Sequence, residues 1–540
     1  MTTPIPQPVV PALQPTDLGL PPKFAQWRPG QYEATIQAVS SDRQFIAAPL
    51  TTGGGKSGMA VCTAILLGGR TVIVTSTKGL EDQYQEFAGC GLVDFRGRQN
   101  YDCLSHGTCS DGRLAGCSHA QKSPDSPADC PYIIDRETFL GAQITSTNYA
   151  CYFANVMHGE GMGNIDLLIL DEAHNALEEL AKALTIVLEY SSIEAVCKKS
   201  GIPDPPKPDS SIGHWRKWAE TSGPTVKALF DRVKKEGGHT SWLRVIDSVK
   251  STLSRIETIP DSWIVDESRA GEISFAPLWP TDYAEAMLYR GAKKVLFLSA
   301  TIVPKTTDLL GVPKDKLLFL PCSHSFDPRR SPVYLYGAHY IDYKTSQEKW
   351  EETVGRMDSI IQRRLDRKGV IHPVSYDRAT FILQHSYYKG LMISPKGKEL
   401  HESLKLFKES PPPRLLISPA ITTGYDFPGR EAEYQFMIKV PFIDARSPIM
   451  KARSKADPEY VPYLVAQIFT QTCGRLMRSP EDQSETFILD RYANNFLKPA
   501  APPGIPTNSR NRGGYRHLFP DWFLRQVQYP STQPYPPRAL

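Results

Sequence analysis

The chain has no long hydrophobic run. No stretch approaches the roughly 20 apolar residues that cross a bilayer; the longest candidate, Val61–Leu67, is far too short. Association with a membrane is therefore not expected. The opening MTTPIPQPVV lacks a basic segment followed by an apolar one, so no signal peptide is expected. Neither sign of charge dominates: 62 Lys+Arg stand against 58 Asp+Glu, a net charge of +4. Such a balance neither demands nor excludes nucleic acid, because binding depends on where the positive charge sits. Cysteine is scarce, ten in 540 residues, which excludes a small disulfide scaffold. A cytoplasmic protein of a bacterial cell or a virus-infected host cell is expected. In such a reducing compartment, clustered cysteines more often bind metal than pair as disulfides.

What is present is ordinary globular material: 41% hydrophobic and 22% charged residues. A chain this long is expected to form two to four domains. Proline marks both ends, with seven of the 46 in residues 1–22 and nine in residues 499–540. Both ends read as extended tails, although Trp522, Phe523 and Leu524 could dock on a domain. Between them, short apolar runs alternate with helical patterns. Buried strands are expected at Gln44–Ala48, Thr71–Thr75, Ile165–Leu170, Lys294–Leu298, Arg414–Ser418, Tyr434–Lys439 and Thr486–Leu489. Continuous apolar runs of this length suit parallel sheets covered by helices on both faces. One group of strands precedes residue 300 and another follows residue 330, which predicts two doubly wound α/β domains.

Two segments break that rhythm. Cys90–Cys130 is rich in Gly, Ser, Cys and Asp. Leu177–Pro277 is helical in character and basic, with Trp215, Trp218 and Trp242 interleaved. Both read as insertions into the first α/β domain. Each of these Trp residues is more simply read as helix-packing core than as a surface for bases.

The chemistry concentrates in three places. LTTGGGKS, Leu50–Ser57, follows an apolar strand and precedes a helix. Backbone N–H groups at such a helix start cradle phosphates. Gly53, Gly54 and Gly55 let the backbone approach the anion, Lys56 reaches the β- and γ-phosphates, and the Ser57 hydroxyl holds Mg²⁺. The strict pattern has Gly at position 50, where this chain has Leu. Asp171 and Glu172 follow the run IDLLIL, at the edge of a sheet where ligands bind. Asp171 is expected at the Mg²⁺ and Glu172 at the attacking water. Gln471, Arg475 and Arg478 recur at spacings of four and three, which predicts one helical face. Guanidiniums there would meet the charge of a departing γ-phosphate. If that helix comes from the second domain, the ATP site falls in a cleft between domains.

In this order the motifs resemble the XPD/DinG-like group of superfamily 2 helicases over most of residues 24–492. RPGQ, Arg28–Gln31, resembles the adenine-reading Q motif, with Gln31 as reader. VTSTKGLEDQ, LILDEAH, LSAT (Leu298–Thr301), HPVSY (His372–Tyr376), TTGYDFPG (Thr422–Gly429) with KVPF, and QTCGRLMRS with LDR resemble motifs Ia to VI. ITSTNYACY resembles the segment that precedes motif II in that family. The resemblance implies an α/β protein of two RecA-like motor domains, with an iron–sulfur insertion and a helical arch. Residues 23–89, 131–176 and 278–312 would form the first motor domain and 313–498 the second. The cluster domain would be 90–130 and the arch 177–277, with tails at 1–22 and 499–540.

GRQNYDC and CPY resemble the ends of the family's iron–sulfur domain, so Cys103, Cys109, Cys117 and Cys130 are the implied ligands of a [4Fe-4S] cluster. Cys90 is an alternative ligand and zinc an alternative metal. Cys62, Cys151, Cys197, Cys322 and Cys473 read as packing residues. Asp426 is an implied nucleotide contact. Thr75, Ser76, Ser375, Thr422 and Thr423 are implied phosphate contacts along a single strand. The implied activity is ATP-dependent, 5′→3′ DNA unwinding by a monomer, on forked DNA or a DNA–RNA hybrid, with DNA repair among the roles left open. Two rivals remain: a single-strand translocase that displaces proteins or R-loops, and a non-catalytic, zinc-stabilised nucleic-acid-binding protein.

Overall fold

A computed structural model describes residues 13–51, 53–117, 130–157, 161–321, 327–395, 399–421, 425–479, 481–500 and 514–528. The chain divides into two units. The first comprises residues 1–48, 55–298 and 310–320, and the second 49–54, 299–309 and 321–540. No helix among the described residues is long and apolar enough to cross a membrane.

The first unit is built on a parallel sheet of seven strands. Their order is Leu317–Phe319, Phe45–Pro49, Lys294–Ser299, Leu167–Asp171, Thr71–Thr75, Ile144–Asn148 and Leu92–Asp94. The central strands Phe45–Pro49, Leu167–Asp171 and Thr71–Thr75 are buried at every position. That explains their unbroken apolar sequence, since helices cover both faces. Leu317–Phe319 pairs in parallel with Phe45–Ala47, which carries this unit to Leu320, past the expected end at 312. A three-residue strand such as Leu317–Phe319 carries too little pattern to be read from the sequence.

The segment after Asp171 holds its own antiparallel sheet of Ile186–Glu189, Glu272–Ala276 and Ile264–Asp266. It packs with the helices Tyr190–Ser200, Ile212–Lys235 and Thr240–Ile256. Trp215 and Trp218 are buried in this separate core and Trp242 packs against it. Several of the segment's cations are ion-paired: Lys198 with Glu194, Arg216 with Asp261, Lys217 with Glu220 and Lys250 with Asp247.

The second unit is also a seven-stranded parallel sheet. Its order is Met392–Ile393, Arg414–Ile417, Lys368–His372, Tyr434–Met437, Glu485–Asp490, Val333–His339 and Val527–Gln528. The two sheets are of the RecA-like kind. Arg364 and Glu485, 2% and 1% exposed, form a two-pronged ion pair at 2.7 Å inside this unit, with Arg367 at 3.0 Å. The described part of the C-terminal segment is ordered. Residues 521–526 form a helix, Trp522 and Phe523 are buried, and Val527 adds to the sheet edge. At the other end, Pro15–Leu18 and Pro22–Phe24 form short turns, and Phe24 packs on Phe87.

Candidate nucleotide site and cysteine cluster

The strand Phe45–Pro49 runs into the glycine loop, and the helix Lys56–Leu67 starts directly after Gly55. Gly55 has φ 78°, and a Cβ there would lie 2.6 Å from the Gln31 amide nitrogen. Glycine is the residue that fits both conditions. Gln31 Nε2 donates to Gly55 O at 2.7 Å, and its Oε1 accepts from Arg28 N at 2.9 Å. The Q-motif glutamine therefore braces the loop.

Lys56 Nζ lies 3.2 Å from Glu172 Oε1, and His174 Nδ1 lies 3.4 Å from Glu172 Oε2. Asp171 is 1% exposed at its strand end. Burial, and then the charge of Glu172, push its carboxyl up to about 6. Glu172 adopts a left-handed backbone, φ 49°, and its N–H donates to Asp171 Oδ1 at 2.9 Å. Such strain in a non-glycine residue is often found at working sites.

Sequence reasoning missed Tyr84. It is fully buried and donates to Asp171 Oδ2 at 3.0 Å, with the Ser57 side chain beside the same phenol. Burial pushes the Tyr84 phenol far up, so it stays a donor. Its signal was a three-residue spacing: Glu81, Tyr84 and Phe87 are all fully buried on one face. The Ser57 hydroxyl and Asp171 carboxylate thus meet at one phenol. Both are hard oxygen donors, a set that suits Mg²⁺. Glu81 is held by Asn148 Nδ2 at 2.9 Å, which ties the segment after Thr75 to the segment before motif II. Thr75 is buried with its hydroxyl turned back to Thr77 O, whereas Ser76 is half-buried.

In the second unit the expected single helical face does not form. The helix Tyr460–Cys473 carries Gln471 and ends there; Gly474–Leu476 is a 3₁₀ turn bearing Arg475, and Arg478 lies beyond it. Gly474 breaks the helix, as the low helix propensity of glycine allows. Arg475 and Arg478 still converge, because both reach Asp426. Arg478 Nη2 is ion-paired with Asp426 Oδ1, and Arg475 Nη1 lies 3.5 Å from it. Asp482 holds the turn by accepting from Arg478 N at 2.7 Å and Ser479 N at 2.8 Å. Gly53, grouped in this unit, has φ 72°, and a Cβ there would lie 2.4 Å from Arg478 O. Ser375 caps the helix Tyr376–His385, accepting from Arg378 N at 3.3 Å. Thr422, Thr423 and Cys322 lie outside the described residues.

The motif III segment is held by residues no motif announced. Gln467 Nε2 donates to Thr301 O at 2.9 Å, Tyr463 hydroxyl meets Thr306 Oγ1 at 2.9 Å, and Trp522 Nε1 donates to Ala300 O at 2.6 Å.

Among the described residues, no group of three or more His, Cys, Asp or Glu is arranged to hold a metal ion. The four implied cysteine ligands are nevertheless neighbours. A Cβ on Gly112 would meet Cys103 Sγ at 2.5 Å and Cys117 Cβ at 3.4 Å. The Cys103 thiol hydrogen-bonds that of Cys117. Cys109 feels the charges of Cys130 and Cys103 and accepts from Arg98 Nη1 at 3.4 Å. Cys90 instead neighbours Cys62, and its Sγ bonds Gly19 O. Cys62, Cys151, Cys197 and Cys473 are buried.

A model described as a helicase C-terminal domain matches residues 371–502. The chain is similar to the ATP-dependent DNA helicase YoaA of Haemophilus influenzae, 22% identical over 596 aligned positions. That match covers 85% of this chain and 90% of that protein. Among solved structures it is similar to one titled XPD helicase, with TM-score 0.60 and 14% identity, covering 86% of this chain and 96% of that one. It is also similar to Xpd4 of S. tokodaii, with TM-score 0.57 and 15% identity, covering 93% and 100%. Fold and site define a two-sheet P-loop α/β protein with a helicase C-terminal domain. More particularly, the chain resembles the XPD/DinG-like proteins of helicase superfamily 2 in its motif order and in its fold.

Proposed function

We propose that this protein is an ATP-dependent DNA helicase that moves 5′→3′ along a single strand and opens forked duplex or DNA–RNA hybrid. The observation that carries the reading is the pairing of Lys56 with Glu172 beside buried Asp171, behind a glycine loop braced by Gln31. Those groups are what phosphoryl transfer to water requires. The loop amides and Lys56 bind the triphosphate. Asp171 and Ser57 would hold Mg²⁺, which would supply positive charge to the phosphates. Glu172 leaves Lys56 once phosphate takes its place, and then orients the attacking water and accepts its proton. Arg475 and Arg478 exchange Asp426 for the γ-phosphate, with Gln471 close by in sequence on the preceding helix.

Cys103, Cys109, Cys117 and Cys130 would hold a [4Fe-4S] cluster that braces residues 90–130. The insertion 177–277 would act as the arch over the strand, with Ser76, Ser375, Thr422 and Thr423 as further strand contacts. Arg244 of that insertion is ion-paired with Asp111 of the cysteine segment, which supports their acting together.

The test is ATPase and unwinding on forks with 5′ or 3′ overhangs, with iron measured on the same sample. Strand-stimulated hydrolysis, unwinding from 5′ overhangs only and about four irons per chain are expected. Hydrolysis that survives Lys56→Ala would refute the site. Robust streptavidin displacement with no strand separation would favour a translocase.

A further inference from the structure

We infer that Tyr84 is a positioning residue for the metal ion of the nucleotide site, acting through Asp171 and Ser57. The inference rests on the reading of those two residues as Mg²⁺ ligands. Its own ground is geometric. Asp171 has two carboxylate oxygens, and each has one fixed donor: Oδ1 takes the N–H of Glu172 at 2.9 Å, and Oδ2 takes the Tyr84 hydroxyl at 3.0 Å. The carboxylate plane is thereby set. The Ser57 side chain stands beside the same phenol. One buried hydroxyl thus ties together the end of one strand and the start of the P-loop helix.

The phenol is itself fixed. It ends the seven-residue helix Lys78–Tyr84, which Thr77 caps, and its ring packs 6.1 Å from that of Phe87. The side chain is fully buried, so water cannot replace it. Mg²⁺ demands near-ideal octahedral geometry and loses its own waters reluctantly. A carboxylate already turned to the required angle lowers the cost of admitting it. A groups-behind-the-ligand arrangement of this kind commonly tunes metal affinity by tenfold or more.

The experiment removes one oxygen atom. Tyr84→Phe keeps the ring and its packing. Binding of a fluorescent ATP analogue is titrated in EDTA and then against Mg²⁺, for the full chain and the variant. Nucleotide affinity in EDTA should stay within about twofold, since the loop amides and Lys56 are untouched. The Mg²⁺ concentration at half-saturation should rise about tenfold, the effect of one hydrogen bond to a charged acceptor. In an Asp171→Asn background the phenol has no carboxylate to orient, so adding Tyr84→Phe should change half-saturation by less than twofold. An unchanged Mg²⁺ dependence in Tyr84→Phe overturns the inference and leaves the nucleotide site standing. So does full additivity with Asp171→Asn, which also covers a general loss of structure. If the unaltered chain binds no nucleotide with or without Mg²⁺, both the site and this role for Tyr84 fall.

Discussion

The two parallel sheets have the same strand number but treat their charged residues differently. In the first, the ion pair of Lys56 and Glu172 stands at the site, with both side chains partly exposed. In the second, the most buried ion pair, Arg364 with Glu485, lies inside the unit at 2% and 1% exposure. Arg475 and Arg478 are instead gathered on Asp426, whose side chain is half exposed. A pair that must separate for function cannot be sealed in a low-dielectric core, where breaking it leaves an uncompensated charge. On the proposed function, the difference separates exchangeable pairs from structural ones.

The largest effect should come from the exchangeable pair of the first sheet. Lys56→Ala should lower the ATP hydrolysis rate at least about a hundredfold, with little change in the unfolding midpoint. Arg478→Ala should lower it by a similar factor or more. A steady-state ATPase assay with single-stranded DNA measures both. Equal hydrolysis in all three proteins would erase the distinction drawn above.

The structural pair should respond the opposite way. Glu485→Ala strands Arg364 and should destabilise the fold by about 3–5 kcal/mol, read from urea unfolding. Glu172→Gln should stay within about 1 kcal/mol, because Lys56 keeps access to solvent. A small loss in Glu485→Ala would mean that water reaches Arg364.

A third comparison is with pH. His372 lies in the second sheet with Nε2 facing Gln435 Oε1 at 3.2 Å. Burial, aided against its hydrogen bond by the charge of Arg475, holds its imidazole down at about 4. The unfolded chain takes up that proton near pH 6.5, before the folded one does. Stability conferred by the neutral ring is thus complete above pH 6.5 and is lost as pH falls towards 4. The loss should approach about 3 kcal/mol. Urea unfolding at pH 7 and pH 4.5 should show that loss, and His372→Phe should remove most of the slope. An unaltered slope would assign it to other groups.

The sequence disclosed the first sheet better than the second site. Four buried strands of the first sheet and three of the second were legible because parallel strands covered on both faces cannot alternate polar and apolar residues. Glycine, Lys56 and Ser57 were legible because strand, loop and helix had to follow one another in the chain. Arg475 and Arg478 were placed on a continuous helix because spacing alone ignores where a helix stops; Gly474 stops it. Their shared partner, Asp426, lies about fifty residues away and leaves no periodic trace. Tyr84 escaped for the same reason: its partners Ser57 and Asp171 are remote in the chain.

The smallest effect concerns residues 299–309, which continue a strand of the first sheet yet group with the second unit. Gln467, Tyr463, Trp522 and the ion pair of Lys305 with Asp457 hold them there, and Trp522 is the one that comes from beyond residue 499. Its indole N–H reaches Ala300 O at 2.6 Å, while its ring packs beside Phe523 at 6.1 Å. Trp522→Phe keeps an aromatic ring and removes the donor, leaving a carbonyl short of its partner in a buried place. The expected cost is about 1 kcal/mol in unfolding free energy. Nucleotide affinity in EDTA should not move, because the glycine loop is not among the groups Trp522 touches. If the C-terminal segment were only resting on the surface, Trp522→Phe and deletion of residues 514–540 would both leave the unfolding midpoint unchanged. If it is a strut for motif III, deletion should cost more than the single substitution, since Phe519 and Phe523, which pack on Phe469, leave with it.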